Sequence, residues 1–108
     1  MSLIKNTINI IFLGQSKILK KSIEAARSLG IKNITIISLK KKIQPNNSIN
    51  LKKYAEENNF RYFETLDINS NQSINYLKKN RPNIIFAQWP RIINDKILKI
   101  PTIGTIGS

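Results

Sequence analysis

Two stretches of this chain carry residue types that could do chemistry. Gln88-Trp89-Pro90-Arg91 contains the only tryptophan of the 108 residues, and Gly104-Thr105-Ile106-Gly107-Ser108 sets two glycines around an apolar run. A tryptophan after a buried strand can floor a flat heterocycle while Pro90 stiffens the loop, and backbone groups can then read ring nitrogens without a catalytic side chain. Trp89, Ile92 and Ile93 could equally close the end of a core, so both readings stand at this point. Arg91 belongs in solvent or on a ligand, because an unpaired buried guanidinium is costly. Glycines at a strand end permit close backbone approach to a ligand or a sharp turn. A frayed terminus fits the same spacing. A third stretch, Gly14-Gln15-Ser16, joins a strand to a helix where doubly wound folds cradle phosphate on free amides. It lacks the Gly-x-Gly-x-x-Gly spacing, since Ser16 and Leu19 occupy the later positions, and it lacks the Gly-Lys-Ser ending of a P-loop. A tight turn with a Ser cap explains it better.

Much chemistry is excluded by what is missing. The chain has neither cysteine nor histidine, which removes the thiol nucleophile, the disulfide framework and the commonest general base and metal ligand. Its six carboxylates, Glu24, Glu56, Glu57, Glu64, Asp67 and Asp95, show no spacing that converges them on a metal. Ser108 has no base to activate it, so a serine hydrolase is untenable. Strand one ends in no acidic pair, which argues against a response regulator, and Asp67 reads as a turn or capping carboxylate. No apolar run approaches a membrane span of about 18 residues and no signal peptide is visible, so the expected location is cytoplasmic. The net charge of +12 invites a nucleic-acid reading. Ile, Lys and Asn dominate and Val is absent, a skew expected from A/T-rich coding, so most of the basic excess reads as drift that raises affinity for polyanions non-specifically.

The elements that must hold these stretches are legible. Asn9 to Leu13 is an apolar run suited to a strand buried on both faces, in the middle of a sheet. Ile18, Ile23, Ala26 and Leu29 recur at helical spacing from Lys17, with Gly30 as the stop. Asn33 to Leu39 is a second strand, which makes a βαβ unit with parallel pairing. A polar loop through Lys40–Lys42 and Asn47 precedes a helix capped by Ser48 that runs to about residue 59. Phe60 to Leu66 is an amphipathic edge strand, Ser70 or Asn71 opens a third helix that ends at Arg81-Pro82, and Asn83 to Ala87 is a fourth strand and the most buried. Asp95 to Leu98 forms a short helix and Thr102 to Ile106 a fifth strand. The expectation is one domain over residues 1–108, α/β, a Rossmann-like three-layer fold with a mostly parallel sheet in βαβαβαβ order. Such sheets bind ligands beyond the C-terminal ends of their strands.

The order strand, Trp89-Pro90-Arg91-Ile92-Ile93 loop, Ile97-Leu98 helix, Ile100-Pro101, then Gly104-Thr105-Ile106-Gly107-Ser108 resembles the formyltransferases that use 10-formyltetrahydrofolate, acting on methionyl-tRNA, glycinamide ribonucleotide or sugar amines. The resemblance covers nearly the whole chain, but only 80–108 is distinctive. It implies a formyltransferase-like fold, incomplete here, of which these residues are the N-terminal portion. It also implies a folate pocket lined or shaped by Phe86, Ala87, Gln88, Trp89, Pro90, Arg91 and Ile92, chiefly through backbone contacts. Gly14, Gln15 and Ser16 fall on the substrate side. No metal is implied. The family transfers formyl to an amine with an Asn-x-His pair and a later Asp. Here Gly107 stands at the Asn position and Ser108 at the intervening one, with no histidine to follow. Losing one oxyanion donor costs about 2.7–4 kcal/mol, and nothing in the chain replaces the His and Asp. The chain alone is therefore expected to be inactive. The alternatives are a non-enzymatic Rossmann-like module that binds a ligand or a partner chain, and a basic nucleic-acid-binding domain. Apolar surface around Ile100, Ile103 and Ile106 predicts self-association at the last strand.

Overall fold

The computed structural model describes residues 7–107; the expectations placed on Ser108 lie outside them. The strands are β1 (Asn9–Leu13), β2 (Asn33–Leu39), β3 (Arg61–Thr65), β4 (Ile84–Ala87) and β5 (Gly104–Gly107), and the helices are α1 (Lys17–Ser28), α2 (Leu51–Glu57), α3 (Asn71–Asn80) and α4 (Asp95–Leu98). All pairings are parallel, in the order β3-β2-β1-β4-β5. The chain is an α/β protein with a Rossmann-like three-layer architecture.

Alternate residues of β1 point to opposite faces, and both faces are apolar. Ile10 and Phe12 join Leu19, Ile23 and Ala26 of α1 and Leu51, Tyr54 and Ala55 of α2 in one core layer. Ile11 and Leu13 join Ile85, Leu77 of α3 and Ile97 of α4 in the other. Ser16 caps α1 by accepting from the Leu19 amide at 3.1 Å, and Gly30 (φ 90°) follows its end. Lys20 and Arg27, on the flank toward α2, lie over the rings of Tyr54 and Phe60.

The central position of β1 and the edge position of β3 agree with the sequence reading. Five details differ. Ile18 and Leu29, read on the apolar face of α1 with Ile23 and Ala26, are 65% and 60% exposed, and Leu19 is buried there instead. Asn50, not Ser48, caps α2, its Oδ1 accepting from the Lys53 amide at 3.2 Å, and the helix ends at Glu57. The loop after β2 contains a short 3-10 turn, Lys41–Ile43. β5 starts at Gly104 because Thr102 and Ile103 pair with the carbonyls of Pro82 and Asn83 in an irregular bend. β4 is only half buried at Ile84 and Phe86, so β1 and β2 are the most buried strands. Helices α1 and α2 both lie toward the β1–β2–β3 side of their layer, which leaves Ile106, on the same face as Phe86, 53% exposed; Ile103, in the bend before β5, is 70% exposed. Ile100, by contrast, packs half-buried on the α3–α4 layer.

Candidate functional site

Strand order reverses on either side of β1, so the loops after β1 and β4 meet at the switch point where such sheets open a crevice. Here that crevice is filled. The Gln88 amide donates to the Leu13 carbonyl at 2.8 Å, and the Ser16 hydroxyl donates to Gln88 Oε1. The Gln15 side chain is buried, its Oε1 accepting from the Leu39 amide at 3.1 Å, while its carbonyl accepts from the Ile49 amide at 2.8 Å. Gln15 is thus committed to joining the ends of β1 and β2 to the loop before α2. Ser16→Ala removes both the cap and the tie to Gln88. It should cost about 1–2 kcal/mol in urea unfolding, with the folded far-ultraviolet spectrum unchanged.

The open space lies one strand further along. Ala87, Trp89, Arg91, Ile93, Leu98, Thr105 and Gly107 line a concavity of about 480 Å3 beyond the C-terminal ends of β4 and β5. It is of the size that small-molecule sites take. Trp89 is half-buried, one side on the core layer of α3 and α4 and the other on the concavity, so covering the core and lining a site are compatible roles. Arg91 is exposed. A Cβ at Gly107 would make only ordinary contact with the Ala87 carbonyl, at 3.9 Å, so the fold tolerates a side chain there.

Of the residues expected to wall a folate pocket, Ala87, Trp89 and Arg91 line this concavity, as does Gly107. Phe86 turns to the opposite face and packs its ring on Phe12, centroids 5.7 Å apart. Gln88 is held by Ser16, while Pro90 and Ile92 are exposed, the latter by 86%. Ile93, Leu98 and Thr105 line it too, although the expected folate wall did not include them. Asn69 was also missed in this role. Its Nδ2 donates to the Ile92 carbonyl at 3.0 Å and its Oδ1 accepts from the Asn94 amide at 2.8 Å, so one side chain clamps the loop from both ends. Asp67 positions Asn69 by accepting from its amide at 2.9 Å, the turn role expected of it.

Ser16 also borders a second concavity of about 470 Å3, with Lys17, Ile18 and residues 46–49. The Ser48 hydroxyl beside it is buried, with no hydrogen-bond partner among the described residues. Further along the same edge of the sheet, Tyr62 donates to Glu64 Oε2 at 3.1 Å. Burial, with smaller contributions from the Glu64 charge and hydrogen bond, pushes the Tyr62 phenol up to about 12 against an opposing Ser38 hydrogen bond. Because the folded value lies above the ordinary 10, the unfolded chain ionises first. The stability Tyr62 contributes is complete below pH 10 and is lost as pH rises toward 12. Tyr62→Phe should remove that part of the alkaline slope in unfolding measured across this window.

Among the described residues, no group of three or more His, Cys, Asp or Glu side chains could hold a metal, and no helix is long and apolar enough to cross a membrane. Comparisons with protein-family models and with curated proteins returned no match.

Proposed function

We propose that the concavity at the ends of β4 and β5 takes the pteridine of a folate-type one-carbon carrier, 10-formyltetrahydrofolate or a close relative, as the resemblance to formyltransferases implies. The observation that carries this reading is the convergence of Ala87, Trp89, Arg91 and Gly107, picked out from two separate stretches of sequence, on one concavity of about 480 Å3. Trp89 supplies a flat apolar wall, Arg91 a cation at the mouth, and the open edges of the loop and β5 offer backbone groups to ring nitrogens. The concavity around Ser16, Lys17 and residues 46–49 is then the place for the amine-bearing acceptor.

The chemistry stops short of transfer. With Gly107 at the position of the oxyanion donor and no histidine in 108 residues, this chain supplies a wall for the carrier and no proton-transfer group beside the formyl carbon. The same absence favours a second reading, in which the chain is a non-enzymatic binding module using the same concavity. Calorimetric titration with 5-formyltetrahydrofolate, a stable carrier analogue, tests what both readings share. Saturable one-to-one binding without formyl transfer to added amines is expected. Absence of binding at millimolar analogue would refute both, and formyl transfer by this chain would refute the claim that it lacks the catalytic group.

A further inference from the structure

At the opposite end of the sheet, beyond the N-terminal ends of the strands, lie two concavities that share Arg81. One, about 450 Å3, is lined by Lys78, Arg81, Lys96 and Lys99 over a floor of Pro82, Ile100 and Thr102. The other, about 420 Å3, is lined by Arg61, Lys79 and Arg81 with Asn80 and Asn83 among its polar walls. Six of the chain's 18 cations therefore border these two concavities, which meet at Arg81. None of the six carboxylates lines either. Compositional drift explains how many lysines the chain carries but not this separation of sign.

A bland explanation exists and is too small. The C-terminal ends of α3 and α4 point to this edge, and cations in the last turn of a helix offset its dipole. Each helix end is equivalent to about half a negative charge, so two ends offset roughly one of the six cations. The surplus is held on a firm frame. Arg61 is oriented by donating to Oγ1 of the fully buried Thr35 at 3.0 Å. Arg81 is fixed in the left-handed region (φ 47°) between Asn80 and Pro82.

We propose that this edge is a binding surface for the phosphodiester backbone of a nucleic acid, independent of the folate-type site at the other end of the sheet. Among the described residues no exposed aromatic lines either concavity for insertion into lipid, which favours a chain of phosphates over a bilayer. Base readout is not built into the surface, because its donors are those that position a backbone. Sequence-tolerant, steeply salt-dependent binding follows, each neutralised phosphate of a single strand lowering the logarithmic salt slope by about 0.7.

The test is fluorescence anisotropy of the full chain with a labelled oligouridylate, an oligothymidylate and a mixed-sequence DNA duplex over a series of salt concentrations. The double variant Lys96→Glu/Lys99→Glu should weaken binding about tenfold or more and flatten the salt slope. Lys21→Glu/Lys53→Glu, with the same change of net charge at exposed positions of α1 and α2 that line neither concavity, should weaken it far less. Far-ultraviolet spectra establish that both variants are folded. The three probes separate RNA from DNA and single strands from duplex. Equal losses in the two variants would overturn the proposal by reducing it to net charge. So would absence of binding at moderate salt, or anionic phosphatidylserine vesicles binding with the same dependence on Lys96 and Lys99.

Discussion

Gly14→Ala should destabilise the domain by about 3–5 kcal/mol, combining backbone strain with an overpacked contact. Gly14 has φ 147°, a conformation that residues with a Cβ rarely adopt, and an added Cβ would stand 2.7 Å from the Gln88 carbonyl oxygen and 3.0 Å from Leu19 Cδ2. The oxygen belongs to a backbone whose amide is already bonded to the Leu13 carbonyl, so it cannot yield without pulling β4 from β1. Domains of this kind have only about 5–15 kcal/mol to lose. Urea unfolding of the variant should show a much lower midpoint with an unchanged m-value. A loss below about 1 kcal/mol would mean that the two loops are not packed as described.

Trp89→Ala should lower affinity for a folate-type ligand by about thirtyfold or more, equivalent to about 2 kcal/mol, the scale of a central aromatic anchor. Trp89 is the only aromatic side chain lining the concavity, and its removal leaves Ile93 and Leu98 facing open solvent. Trp89→Phe should retain most of the affinity, because it keeps a flat apolar wall. Calorimetry reads both variants, and unfolding midpoints separate lost binding from lost folding. Equal affinity in wild type and Trp89→Ala would remove the concavity from the account even if ligand still bound elsewhere.

The fold was legible where local pattern and tertiary burial agree. β1 and β2 have the boundaries expected from their unbroken apolar runs, and α4 spans the expected Asp95–Leu98. The start of α2 was misread because Ser48 and Asn50 are both good caps, and only the tie from the Ile49 amide to the Gln15 carbonyl delays the helix to Leu51. Burial of β4 was overestimated because its apolar residues carry no mark of how little α1 covers their outer face. The candidate site was half legible. Trp89 and Arg91 stand out by type, whereas Leu98 and Thr105 come from elements that meet the loop only after folding, joined by the Thr105 hydroxyl donating to the Leu98 carbonyl at 2.9 Å. The role of Asn69 was hidden more deeply, since its partners lie 23 and 25 residues away.

Trp89 is the only tryptophan in the chain, so indole emission comes from this one position on the wall of the concavity. The most direct measurement is a titration of indole emission with 5-formyltetrahydrofolate. The account predicts saturable quenching with one site, insensitive to Lys96→Glu/Lys99→Glu. Emission unchanged up to millimolar analogue, in protein whose spectrum shows it folded, would contradict the assignment of this concavity to a folate-type carrier.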